Sequence, residues 1–91
     1  MYFITMLEDG DALGRCVGYY KTFEEAEDAV KENKMDICES CYLYAVIENV
    51  PEGLYQYDTE AKWYKFNMEE EKYEEFEKPE CFKCMVGFGI G

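Results

Sequence analysis

The chain carries two Cys-x-x-Cys pairs, C-E-S-C at 38–41 and C-F-K-C at 81–84, with 39 residues between them. No other feature constrains the fold as tightly, because a metal held by both pairs would join the middle of the chain to its end. Five cysteines placed at random in 91 positions yield two such pairs only about 2% of the time. The matching chemistry is well defined. Zn²⁺ favours four thiolates in a tetrahedron at ~2.3 Å, and a Cys-x-x-Cys turn delivers two of them from one side. Cys38, Cys41, Cys81 and Cys84 are therefore the candidate metal ligands, with Zn²⁺ as a structural ion. Pro79 suits the start of a short C-terminal helical turn, which would set Cys81 and Cys84 on one face. Two other readings of the thiols stay open. Free cysteines pack as small apolar residues, and a Cys-x-x-Cys placed after a strand at a helix start serves redox exchange. Neither pair has that last setting convincingly. Cys16 falls inside a predicted strand and is expected in the core.

A staple would matter here, because 91 residues make one small domain, 1–91, with a thin core. Apolar residues reach 48% and aromatics 18%, too many for an acidic disordered tail. The pattern predicts an α+β domain: an antiparallel sheet, one main helix and the C-terminal helical turn, in the order ββαβββ. YFITML (2–7) and RCVGYY (15–20) read as a hairpin. TFEEAEDAVKEN (22–33) is the main helix. Thr22 and Glu25 form its capping box, and Phe23, Ala26, Ala29 and Val30 its buried stripe. YLYAVIENV (42–50) is the expected central strand, followed by strands at LYQYD (54–58) and KWYKF (62–66). For the stretch 67–77 propensity favours a helix, whereas setting 73–76 against 63–66 makes a final hairpin, and the reading leans to the hairpin.

Charge narrows the partners. Nine Lys and Arg against 21 Asp and Glu leave a net −12. Such a surface repels nucleic acid and anionic lipid and attracts basic protein surfaces. The predicted contact residues are Glu24, Glu25 and Asp28 on the helix, and Glu69, Glu70 and Glu71 in the glutamate run, with exposed Tyr or Trp63 as anchors. The N-terminal MYFITMLEDGD lacks the basic region of an export signal, and no apolar run is long enough to span a bilayer. A cytoplasmic location is expected, and in that reducing compartment metal binding competes better than disulfides.

Catalytic machinery is not evident. The chain has no His, and Ser40 is its only Ser, so no usual nucleophile–base arrangement can be built. A four-thiolate metal leaves no open coordination position, so a catalytic ion is not expected either. The expectation is a non-enzymatic binding protein.

With the quartet Cys38, Cys41, Cys81 and Cys84, this size and this acidity, the chain resembles the small phage-encoded anti-CRISPR proteins. In particular it resembles those that inhibit the type II RNA-guided DNA nuclease, which include a zinc-containing member. The resemblance implies an inhibitor acting in the host-cell cytoplasm, which binds the nuclease through acidic residues and hinders loading of target DNA. The alternative is a structural or regulatory zinc-binding interaction module with no nuclease target. An acidic partner for a basic phage protein is a third possibility.

Overall fold

Strand pairing in this chain follows from which segments are apolar on both faces and which on one. The computed structural model describes residues 1–8, 11–37, 42–50 and 60–79. Its elements are β1 (Tyr2–Glu8), β2 (Asp11–Tyr20), helix α1 (Phe23–Lys31), β3 (Tyr44–Asn49), β4 (Glu60–Asn67) and β5 (Lys72–Phe76). A single 3₁₀ turn, Lys34–Asp36, follows the helix. The strands form one antiparallel sheet in the order β2-β1-β3-β4-β5.

β3 lies at the centre, as its composition predicts, and five successive residues, Tyr44 to Glu48, are buried. Successive strand residues face opposite ways. Ile4 and Met6 of β1, Ala45 and Ile47 of β3, Tyr64 of β4 and Tyr73 of β5 accordingly share one face. There they pack on Ala26, Ala29 and Val30 of the helix. Leu7, Tyr44, Val46 and Trp63 cluster on the other face.

The helix has the predicted stripe and cap. Thr22 Oγ1 accepts from the Glu25 amide at 3.3 Å and donates to the Glu25 carboxylate at 3.0 Å. This satisfies one of the amide donors that a helix start leaves without a partner. The helix stops where Asn33 turns left-handed, at φ 47°, and its amide reaches back to Val30 O at 3.1 Å. Asn tolerates that conformation better than most side chains.

Three expectations need correction. The strand order differs from the one read from the sequence. In the sheet β1 lies between β2 and β3. β1 buries both its faces, through Ile4 and Met6 on one side and Thr5 and Leu7 on the other, so it takes the sheltered position. Cys16 is exposed, not core. It lies on edge strand β2, where a register shift opposite Ile4 and Thr5 leaves Val17 and Tyr20 to pack inward. Trp63 is buried at 5% exposure and anchors nothing outside, because its strand position points it at Leu7, Tyr44 and Val46. The expected strand at 54–58, the C-terminal helical turn and the zinc staple lie outside the described residues.

Candidate functional site

The β4–β5 hairpin sets the first acidic cluster. Its register, Trp63↔Phe76 to Asn67↔Lys72, matches the pairing read from the sequence. Four residues, Met68 to Glu71, close it. Asn67 Oδ1 accepts from the amides of Glu69 at 2.9 Å and Glu70 at 3.3 Å, which fixes the start of the turn. Asn67 Nδ2 donates to Glu74 at 3.0 Å, tying the turn to β5. Glu71 completes the reversal with φ 56°, a conformation that costs a non-glycine residue about 1 kcal/mol or more. Glu69, Glu70 and Glu71 are all exposed, and none has a cationic partner among the described residues. Met68 beside them is 80% exposed.

The helix presents the second cluster, and it is more committed. Glu24, Glu25 and Asp28 are exposed, as expected. Asp28 pairs with Lys34 at 2.6 Å, and that carboxylate raises the Lys34 pKa. Glu25 accepts from Thr22, and Glu24 has no ion-pair partner among the described residues. A shallow groove of about 540 Å³ runs between the end of α1 and the hairpin, with Glu32, Glu70, Lys72, Glu74 and Glu75 among its lining residues. Lys72 pairs with Glu32 across it at 3.3 Å.

A third polar group, outside the candidate residues read from the sequence, centres on Glu27. Tyr64, fully buried, donates its hydroxyl to Glu27 Oε2 at 2.5 Å. Lys62 lies 3.3 Å from the same oxygen, Lys31 lies 3.7 Å from Oε1, and Lys62 also pairs with Glu75. The Tyr64 hydrogen bond is the chief reason that the Glu27 carboxyl is held below its ordinary range. Lys62 and Lys31 add to this, and partial burial opposes it. Burial pushes the Tyr64 hydroxyl up, with the Glu27 bond adding to the effect. Glu75, then Glu27, hold the Lys62 ammonium in its charged form against desolvation. These shifts favour a neutral phenol, an ammonium and carboxylates, which makes the group an ion-pair lock between helix and sheet. Parity was the available signal: Lys62, Tyr64 and Phe66 alternate on one face, and that face meets α1.

No group of three or more His, Cys, Asp or Glu able to hold a metal occurs among the described residues. Cys38, Cys41, Cys81 and Cys84 all lie outside them. No described helix is long and apolar enough to cross a membrane.

The fold and surface define a small acidic α+β domain, one helix on a five-stranded antiparallel sheet, with carboxylates on the helix and on the β4–β5 turn. No family model matches the chain, and no curated protein or solved structure matches it.

Proposed function

We propose that this protein is a non-enzymatic inhibitor that docks its acidic hairpin tip and helix face on a basic protein surface that otherwise holds nucleic acid. The observation that supports this reading is the tip itself. Three adjacent carboxylates without described cations stand on a turn fixed by Asn67, with Met68 exposed beside them. Carboxylates held in this way compete with phosphates for Lys and Arg, and fixing the turn beforehand lowers the ordering cost of docking.

The target we propose is the type II RNA-guided DNA nuclease, which holds its heteroduplex and displaced strand in positively charged channels. An acidic domain seated there, or beside the channel mouth, hinders target DNA from loading. Rim carboxylates set mainly the association rate, and apolar anchors set the lifetime of the complex. With Trp63 buried, Met68 beside the tip takes the anchoring role, at 80% exposure.

Charge reversal tests the assignment. The triple substitution Glu69→Lys, Glu70→Lys and Glu71→Lys should weaken binding to the nuclease roughly tenfold or more. Glu24→Lys, Glu25→Lys and Asp28→Lys should weaken it less, since Asp28 already has a cation partner. Unchanged affinity in both variants, with the fold intact by circular dichroism, overturns the acidic-surface reading.

A further inference from the structure

We propose that β5 is a strand-acceptor edge, which adds to the sheet an extended protein segment whose Lys or Arg residues alternate with apolar ones. The inference rests on the docking reading above and deepens it by naming the form of the partner's segment. β5 ends the sheet order β2-β1-β3-β4-β5, and β4 is its one neighbour among the described strands. An edge strand leaves the amides and carbonyls of its outer side without ladder partners, a template for one more strand.

The two sides of that edge differ. Register sets Tyr73 and Glu75 on the helix face, opposite Phe66 and Tyr64, and Glu74 and Phe76 on the other, opposite Lys65 and Trp63. On the helix side the edge borders the groove of about 540 Å³. Its lining sets the carboxylates of Glu32, Glu70, Glu74 and Glu75 against the ammonium groups of Lys31 and Lys72. Glu70 and Glu74 have no cation partner among the described residues. A second groove, of about 350 Å³, adjoins the first and shares Asn67, Glu74 and Glu75 with it. This one includes Met68 and Phe76, which are 80% and 45% exposed. The Lys65 ammonium lies 5.1 Å from the centre of the Phe76 ring, so a further cation is disfavoured there.

Successive residues of an added strand point to opposite faces. One set therefore meets the carboxylates of the first groove, and the next set meets Met68 and Phe76. Backbone bonds along β5 supply affinity without regard to sequence, and the two grooves supply the preference for basic and apolar residues in alternation. Charge disfavours a second copy as the occupant. Antiparallel pairing of β5 with itself sets glutamates of one copy beside glutamates of the other, in a chain of net −12. Acids on an edge guard against such self-pairing. They attract a basic strand.

The test uses the full, unmodified chain and two end-capped peptides of identical composition, KVKVKVK and KKKKVVV, with no nuclease present. The alternating peptide should bind roughly tenfold or more tightly than the block peptide. On its addition the backbone amide resonances of Lys72–Phe76 should shift, and those of β2 should not. In an extended strand the Lys amides point to one side and the Val amides to the other. Methylating the backbone nitrogens of one set should therefore abolish binding, and methylating the other set should spare it. No binding of the alternating peptide, equal affinity for the two peptides, or resonance shifts confined to residues outside β5 overturns the proposal. Binding that survives both methylations overturns it too, and so does self-association of the chain through β5. Failure here is separate from failure of the inhibitor reading, which nuclease binding by the unmodified chain decides.

Discussion

Replacing Tyr64 by Phe removes one hydroxyl and leaves the ring in place, so it isolates the bond to Glu27. That bond joins a fully buried phenol on β4 to a carboxylate on α1 at 2.5 Å. Hydrogen bonds to charged groups contribute roughly 1.5–3 kcal/mol. A loss of about 2 kcal/mol at pH 7 should lower the melting temperature of a domain this size by roughly 10 °C. Lys62 and Lys31 remain beside Glu27, so the carboxylate is not stranded and the upper end of the range is not reached. The pH dependence supplies a second readout. The folded state lowers the Glu27 pKa from its ordinary 4.5. Its stabilising effect is therefore present above that value and lost as the pH falls through the lower, folded one. The difference between the two proteins should accordingly be largest at neutral pH and shrink in acid. Urea unfolding at pH 7 and below pH 4 measures both. A change of less than about 0.5 kcal/mol at pH 7, or a difference that grows in acid, refutes the reasoning.

Other substitutions probe neighbouring parts of the account. Gly18→Ala on edge strand β2 meets open space, with nothing within 4 Å of the added methyl. It should stabilise the fold by about 0.5 kcal/mol through reduced freedom of the unfolded chain, and a measurable drop in urea midpoint would contradict this. Asn67→Ala removes the cap on the hairpin turn and should cost about 1 kcal/mol; unchanged stability would show that the turn holds without it. At high pH, Tyr64 should resist ionisation. Its pKa is raised when folded, so its contribution is complete below the ordinary value of 10.0 and is lost as the pH climbs towards the folded one. Ultraviolet titration should show a late-ionising phase that loses one tyrosine in Tyr64→Phe.

Local signals in the sequence carried much of this fold. The capping box at Thr22, the stripe of Ala26, Ala29 and Val30, and the pairing of 73–76 with 63–66 all depend on neighbours within a few residues, and all are present. Position in the sheet was harder to read. An edge strand and an inner strand look alike over six residues, so Cys16 was expected inside and Trp63 outside. Their true settings depend on which strand pairs with which, a long-range outcome, and on a register shift opposite Ile4 and Thr5 that nothing local announces. The Glu27 lock was half legible. Parity placed Lys62 and Tyr64 on one face, but only the docking angle of α1 decides which glutamate they meet. The acidic residues at 69–71 were visible as charge, whereas the Asn67 bonds that fix them were not.

The inhibitor reading stands or falls most directly on DNA cleavage by a panel of guide-loaded type II nucleases, with this protein added before or after the target DNA. Because docking is proposed to block loading, addition before DNA should suppress cleavage by at least one nuclease, and addition after DNA should suppress it far less. Raising the salt should restore cleavage, since charges near the surface are screened within about 8 Å at physiological ionic strength and within less above it. Cleavage that proceeds unaltered in either order across the panel would contradict the account and leave the zinc-binding interaction module in its place.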